Sequence, residues 1–132
     1  MAKLLLVAHG ARLRGWALAA RDDYLRRMPR GYAVQCMQAV PRGARVVALD
    51  ERGRELSSTQ FAAQLQRWVA ERAPTAFVVG GPDGLEPQLK KEAVLLLRLS
   101  TLTMSHALAQ VLLAEQLYRA ATLLTGHPYH RE

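Results

Sequence analysis

The amino-acid sequence predicts an α/β domain, built on a mostly parallel sheet with helices on both faces. Short apolar runs of strand length alternate along the chain with longer segments whose apolar residues recur at helical spacing. Glycine and proline separate these segments. With 132 residues, 50% of them hydrophobic, the chain has the size of one domain covering 1–132 and enough apolar content for one core.

Three strands and one helix are predicted in the first part of the chain. The opening strand is "KLLLVAH", and the helix "GWALAARDDYLRRM" follows it and ends at Pro29, which cannot continue a helix. The alternation of "YAVQCMQAV" predicts the second strand. Pro41 to Gly43 then turn the chain into a third strand, "RVVALD".

Two further strands and three helices are predicted after this point. We expect "ERGRELSSTQ" to form a loop and Ser57 or Ser58 to cap the helix "FAAQLQRWVAER". A fourth strand, "TAFVVGG", leads through the turn and short helix of "PDGLEPQLKKE" to a fifth strand, "AVLLLRLS". The last predicted helix runs from about Met104 to Leu124.

The last predicted helix is apolar on nearly all sides, which predicts burial on nearly all sides. Two arrangements satisfy this requirement. The helix is either central in its own domain, or covered on one side by its sheet and on the other by a second subunit. In the second case the chain is a homodimer that packs through residues 108–124, and Leu117 faces the partner.

The charge of the chain is concentrated in its first half. The net charge is +7, and residues 1–55 hold 11 basic and 5 acidic side chains. Arginine, which outnumbers lysine here, binds phosphate through two parallel hydrogen bonds. This distribution is typical of a nucleic-acid surface, and equally of a solvated charged face.

Several classes of protein are disfavoured by the composition. No apolar run approaches the roughly 20 residues that span a bilayer, and the N-terminus lacks a convincing signal peptide, so we expect a cytoplasmic protein without a membrane partner. The single cysteine, Cys36, excludes an internal disulfide. His127 and His130 lack the further ligands that a metal site needs, and we predict no metal.

Three strand ends carry residues suited to a ligand. They are "VVALD", "VVGGPDG" and the loop "LSTLTM". Ligands of parallel sheets bind outside the carboxyl ends of the strands, and paired glycines allow a close approach to the backbone or positive φ. A tight turn without a ligand explains "GGPDG" as well, and its glycine spacing matches neither a dinucleotide-binding fingerprint nor a phosphate loop.

At this point the residues resemble a known family. The segments "VVGGPDGL", "LSTLTMSHALAQVLLAEQLYRA" and "HPYHRE", with "YLRR" after the first strand, closely resemble the RlmH methyltransferases of the SPOUT superfamily. The resemblance covers nearly the whole chain. It implies a trefoil-knotted α/β domain, a homodimer, S-adenosylmethionine as methyl donor, and methylation of nitrogen three of a pseudouridine in the large-subunit ribosomal RNA of the assembled ribosome.

The resemblance assigns site residues in this chain. For the tail it implies catalytic roles: His130 as a base, Arg131 as a cation that stabilises developing negative charge, and Tyr129 as a surface on which a base stacks. His106 and Arg119 are secondary candidates for substrate contact. The implied cofactor pocket falls on the three strand ends, at Leu49, Gly80, Gly81, Leu99, Ser100, Thr101, Leu102, Thr103 and Met104.

The chain also departs from the family pattern. Family members commonly have a helix between the second and third strands, where this chain has only "PRGA", and Ser105 and Ala107 replace prolines beside the cofactor loop. We expect the missing helix to expose apolar area on one face of the sheet. The alternative to an active methyltransferase is therefore a non-catalytic RNA- or ribosome-binding module, or a cofactor-binding scaffold.

Overall fold

The structure, a computed structural model, describes residues 3–10 and 12–131, with the main chain alone for His130 and Arg131. The predicted strands and helices are all present in the predicted order. A 3₁₀ turn at Pro128–Arg131 follows them. The elements are β1 (Leu4–His9), α1 (Gly15–Arg26), β2 (Val34–Met37), β3 (Arg45–Glu55), α2 (Ser58–Ala70), β4 (Thr75–Gly80), α3 (Pro87–Glu92), β5 (Leu95–Arg98) and α4 (His106–Thr125).

The five strands form one sheet in the order β2-β1-β4-β3-β5, and every neighbouring pair is parallel. Leu4 at the start of β1 pairs with Val34 on one side and with Thr75 on the other. The predicted parallel sheet is confirmed. Because all strands run in one direction, their carboxyl ends meet at the same edge, where ligands of such sheets bind.

Alternate residues of the strands pack against different layers of the protein. Leu4, Leu6 and Phe77 point to the face covered by α1, α2 and α4. Leu65 of α2 and Leu117 of α4 are fully buried against this face. On the opposite face the short α3 and the loops beside it pack against the sheet. The buried residues of this second face are Leu5, Val7, Val46, Ala48, Ala76, Val78 and Leu85.

The burial of α4 comes largely from its own chain. This helix packs against both α1 and α2. Leu117 is fully buried in the core beside Phe77, so the expectation that Leu117 faces a partner subunit is wrong. Leu108, which is 38% exposed, is the large apolar residue that α4 presents to solvent, and Trp16 on α1 is 67% exposed.

The third strand is longer than predicted. Its pairing with β5 is interrupted after Leu49 and resumes at Arg54, so residues expected in a loop belong to the strand. Gly53 permits this pairing, because a Cβ atom there would lie 2.5 Å from the carbonyl oxygen of Leu96. Ser57 then caps α2, accepting a hydrogen bond from the main-chain N–H of Gln60, as one of the two predicted caps.

The described residues contain no helix between β2 and β3, which agrees with the short segment seen in the sequence. The expected exposure of a sheet face is wrong, however. Val7 and Val78 on the second face are fully buried, because Val40 and Ala44 of the connecting segment and Leu89 of α3 pack over it. Within the described ranges, no helix is both long and apolar enough to cross a membrane.

Candidate functional site

A cavity of about 590 Å³ opens at the carboxyl edge of the sheet, between the interruption of β3 after Leu49, the ends of β4 and β5, and the start of α4. We call it the strand-end cavity. Its volume is in the range of small-molecule sites, which is about 300–1,000 Å³. The lining residues are Leu49, Asp50, Glu51, Arg52, Val79, Gly80, Gly81, Pro82, Asp83, Gly84, Leu85, Lys90, Leu97, Arg98, Leu99, Ser100, Leu102, Thr103, Met104, His106 and Ala109.

One wall of the strand-end cavity is a tight turn after β4. The N–H of Gly84 donates to the carbonyl of Gly81 at 3.0 Å, with Pro82 at the second position of the turn, where its fixed φ is favoured. Positive φ was one of two predicted reasons for the paired glycines, Gly80 and Gly81, and it applies to neither of them. The glycine of this turn that has positive φ is Gly84, at +76°. At Gly80, a Cβ atom would lie 2.7 Å from the carbonyl carbon of Gly84.

A partly buried ion pair forms a second wall. Asp50, whose side chain is 8% exposed, lies 3.0 Å from Nζ of Lys90 on α3. The carboxylate also accepts a hydrogen bond of 2.8 Å from the main-chain N–H of Arg52. This main-chain hydrogen bond, and then Lys90, lower the pKa of Asp50 below its ordinary value, so the carboxylate is charged at neutral pH.

Two polar atoms in the wall of the cavity are buried without a partner among the described residues. They are Nδ1 of His106 and Nε of Arg98. Arg98 does bind Glu55 through its Nη2 atom, at 2.7 Å, and this contact orients the guanidinium. His106 is the first residue of α4, which Ser105 caps by accepting from the N–H of Leu108. Buried polar atoms normally find partners, so both atoms are suited to contact a ligand.

The structure brings most of the predicted cofactor residues together. Leu49, the glycine pair and the loop after β5 all line the cavity, although Thr101 does not. The predicted substrate residue His106 lines the same cavity. Sequence reasoning missed Asp50 and Arg98, although a charged residue directly at the end of an apolar strand was a usable signal. Lys90 gave no such signal, because its contact with Asp50 depends on the packing of α3.

The C-terminal segment lies against the other half of α4. Tyr129 donates a hydrogen bond of 2.9 Å to Oε2 of Glu115, and Arg119 donates to the same oxygen at 2.8 Å. The guanidinium of Arg119 also lies over the ring of Tyr129, 5.1 Å from its centroid. Arg119, a predicted substrate residue, is thus part of the anchor of the tail and does not line the cavity.

Aromatic contacts join this anchor to the first helix. The ring of Tyr118 lies 4.7 Å from that of Tyr129 and 6.0 Å from that of Tyr24. Arg27 lies over the rings of Tyr24 and Tyr118, which gives the "YLRR" segment a structural role. We call this group the tail cluster: Tyr24, Arg27, Glu115, Tyr118, Arg119, His127 and Tyr129.

Within the tail cluster, Tyr129 is a hydrogen-bond donor at neutral pH. Burial, followed by its contacts with Tyr24 and Glu115, raises the pKa of the phenol well above its ordinary value. The side chains of His130 and Arg131, predicted to be catalytic, lie outside the described residues. Among the described residues, no group of three or more potential metal ligands is found.

The tail cluster and the strand-end cavity are separated along α4. Ala109 is the last α4 residue in the cavity wall, and Tyr129 contacts the helix at Glu115 and Tyr118. At about 1.5 Å per residue, these contacts lie roughly 10 Å or more further along the helix axis. The described structure therefore does not bring Tyr129 to the cavity of its own chain.

Comparison with known proteins finds a matching family and similar relatives. Residues 32–130 match the family described as "Predicted SPOUT methyltransferase". The chain is 46% identical to the ribosomal RNA large subunit methyltransferase H of Variovorax paradoxus and 42% identical to that of Polynucleobacter asymbioticus. Each alignment covers 98% of this chain and 99% of the relative. The alignment with the Variovorax paradoxus protein extends over 154 positions. Because this chain has 132 residues, that protein contains residues that this chain lacks.

Proposed function

Since the chain belongs to the SPOUT methyltransferases, and among them to the family of ribosomal RNA large subunit methyltransferase H, we propose that it methylates large-subunit ribosomal RNA. The proposed methyl donor is S-adenosylmethionine, and the proposed target is nitrogen three of a pseudouridine in the assembled ribosome. The observation that carries this proposal is the convergence of the three strand ends on one cavity. We propose a single domain with the family's trefoil knot, acting in the cytoplasm.

The residues of the strand-end cavity fit this methyl donor. Its adenine is flat and apolar with polar edges, which suits the main chain of the glycine turn beside Leu49 and Leu99. The carboxylate of Asp50 suits the hydroxyl or ammonium groups of the donor, and the unpartnered Nε of Arg98 suits its carboxylate. When bound, S-adenosylmethionine supplies a methyl group activated by a positively charged sulfur.

The substrate side of the reaction requires a proton to leave nitrogen three, because an imide is neutral at pH 7. We propose that His130 accepts this proton and that Arg131 stabilises the negative charge that develops on the base. Tyr129 stays protonated and holds the start of this segment against Glu115. A tail anchored in this way positions His130 and Arg131 at small entropic cost.

We further propose that the protein is a homodimer in which each tail completes the cavity of the partner. Two features support this arrangement. Tyr129 does not reach the cavity of its own chain, and the neighbouring helices α1 and α4 present Trp16 and Leu108 to solvent. An exposed group of large apolar residues is typical of a surface that binds another subunit.

The test is transfer of a labelled methyl group from S-adenosylmethionine to ribosomes that lack this modification, followed by location of the label. We expect label on one pseudouridine of the large-subunit RNA. Cofactor binding by calorimetry without any transfer would instead identify the non-catalytic ribosome-binding module. Neither binding nor transfer would refute the assignment of the strand-end cavity.

A further inference from the structure

A second cavity, of about 330 Å³, opens at the carboxyl edge of the sheet beside the ends of β1 and β2. Its apolar part consists of Ala8, Leu13, Leu18 and Met37. The polar part consists of the guanidinium groups of Arg12 and Arg21 together with Cys36 and Gln38. Nothing in the proposed methyl transfer uses these residues. An apolar pocket with two guanidinium groups matches the chemistry of a nucleotide, whose base is flat and whose phosphate is anionic.

The two arginines of the second cavity differ in the contacts that their side chains make. Arg21 is held by a 2.9 Å hydrogen bond to Oε1 of Gln110 and by an ion pair of 3.0 Å with Asp22. Gln110 is fully buried, and its Nε2 atom has no partner among the described residues. Arg12, by contrast, is exposed and makes no ion pair or hydrogen bond with the described part of the chain. It is therefore able to bind an incoming anion without breaking a contact.

The second cavity is adjacent to the strand-end cavity. Ala8 in its wall pairs directly with Val79, which lines the strand-end cavity, and neighbouring strands lie about 5 Å apart. The start of α4 lies between the two. His106 and Ala109 line the strand-end cavity, whereas Gln110 binds Arg21 on the other side. This spacing is short enough for one nucleotide of an RNA strand to reach a methyl donor bound in the strand-end cavity while a neighbouring nucleotide occupies the second cavity.

From this arrangement we propose that the second cavity binds a nucleotide of the substrate RNA that flanks the methylated one. The phosphate contacts Arg12, with Arg21 behind it, and the base packs on Leu13, Leu18 and Met37. The basic character of residues 1–55, with 11 basic and 5 acidic side chains, favours an RNA strand over a neutral ligand. This inference rests on the proposed function, because it takes RNA as the substrate.

The single cysteine of the chain provides a local probe, because Cys36 is exposed and lines the second cavity. The experiment measures the rate at which N-ethylmaleimide alkylates Cys36, by mass spectrometry at fixed pH, with and without ribosomes that lack the modification. Co-sedimentation verifies that the protein is bound. We expect bound ribosomes to slow the alkylation about tenfold, since a nucleotide in the cavity covers the thiol.

Two variants make the measurement specific. Arg12→Ala should reduce protection of Cys36, and should lower the slope of log affinity against log salt by about one, as expected for one lost phosphate contact. Arg30→Ala is the matched control. It removes an exposed arginine from the same basic half, beyond the end of α1 and so at the opposite edge of the sheet. It should preserve the protection.

Several results of these measurements would overturn the assignment of the second cavity to an RNA nucleotide. Ribosomes that bind without slowing alkylation in the unaltered protein would overturn the cavity assignment while leaving methyl transfer intact. Equal effects of Arg12→Ala and Arg30→Ala would overturn it too. Strong protection by micromolar free uridine monophosphate would identify a mononucleotide site in place of an RNA subsite. Failure of both co-sedimentation and methyl transfer would instead refute the proposed function itself, and this inference with it.

Discussion

The strand-end cavity and the tail cluster are built in different ways, although α4 contributes to both. The cavity is formed by rigid strand ends and a glycine turn, and it presents buried polar atoms that lack partners, such as Nδ1 of His106. In the tail cluster, the hydrogen bond of Tyr129 to Glu115 is satisfied within the chain. The cavity therefore keeps polar atoms available for a ligand, whereas the polar atom of Tyr129 is already used to anchor the tail.

This difference makes the two regions separable by mutation. Changes at the glycine turn should affect binding of the methyl donor, whereas changes in the tail should affect transfer to RNA. The proposed dimer would join the two functions, because the tail of one chain would complete the cavity of the other.

Gly80→Ala should strongly weaken binding of the methyl donor. Its Cβ atom would lie 2.7 Å from the main chain of Gly84, and the turn must move to relieve the clash. Overpacking of this kind costs about 1–3 kcal/mol, and here the displaced atoms form the cavity wall. Calorimetry should show a loss of affinity of roughly 5- to 150-fold, because each factor of ten corresponds to about 1.4 kcal/mol.

The matched control for this variant is Gly43→Ala. Gly43 has φ of +84° and no atom within 4 Å of an added Cβ, so the change strains the backbone without a clash. It should lower stability by about 1 kcal/mol and leave binding of the methyl donor unchanged. Normal affinity in Gly80→Ala would show that the turn does not shape the site.

Leu108→Glu should dissociate the proposed dimer. Leu108 is the exposed leucine of α4, and burying an unpaired charge in an interface costs several kcal/mol. Light scattering at micromolar concentration should give a dimer for the unaltered protein and a monomer for the variant. Val94→Glu, at a 61% exposed residue outside both helices, should leave the mass unchanged. A monomeric unaltered protein would contradict the dimer.

When the methyl donor is limiting, mixed dimers should recover activity from two nearly inactive parents. One parent carries Arg131→Ala and the other carries Gly80→Ala. If each tail serves the partner's cavity, one site of the mixed dimer receives both lesions and the other receives none. Random mixing should then restore at most about one quarter of normal activity, because half of the dimers are mixed and each has one intact site. With confirmed subunit exchange, a mixture that stays inactive would refute the exchange of tails.

Asp50→Asn should destabilise the fold by about 2 kcal/mol at pH 7, the size of a hydrogen bond to a charged group. The pKa of Asp50 is lowered from 3.8 in the folded state, so its contribution is complete above about pH 5 and is lost as the pH falls through the folded pKa. Urea denaturation should therefore show the difference between the two proteins shrinking below about pH 4.

The control for this variant is Asp23→Asn, which removes a carboxylate that is 56% exposed and paired with Arg27. Surface pairs of this kind contribute little, so the change should stay within about 0.5 kcal/mol. If Asp50→Asn lowers the free energy of unfolding by the same amount at every pH, the charge of Asp50 is not what stabilises the cavity wall.

Local features of the sequence predicted the elements well. Alternation and helical spacing placed every strand and helix, and serine before an apolar stripe correctly indicated the cap of α2, because these signals depend on neighbouring residues. Features that depend on distant segments were missed. The continuation of β3 past Asp50 depends on pairing with β5, and the burial of Leu117 depends on how α1 and α2 pack against α4.

In the candidate site, too, the features set by neighbouring residues were predicted and those set by distant segments were not. The motifs placed Leu49, the glycine pair and the loop after β5 at strand ends, and the parallel sheet then brings them to one edge. The contact of Lys90 with Asp50 was not predictable, because it joins segments 40 residues apart that only the fold brings together. Nor did spacing alone predict that "YLRR" contacts the tail, since that contact is formed by packing α1 on α4.

Tyr129→Phe should have the smallest effect, and it tests whether the tail residue is an anchor or a catalyst. The variant keeps the ring contact with Tyr118, at 4.7 Å, and loses the contacts of the hydroxyl with Glu115 and Tyr24. Because Glu115 still accepts from Arg119, the loss should be about 1 kcal/mol of stability, seen in urea denaturation. The raised pKa of the phenol keeps it protonated near neutral pH, so the pH profile of methyl transfer should not change. Affinity for the methyl donor should also be unaltered, since the cavity is formed without this residue. Complete loss of transfer with an intact fold would show instead that Tyr129 takes part in the chemistry.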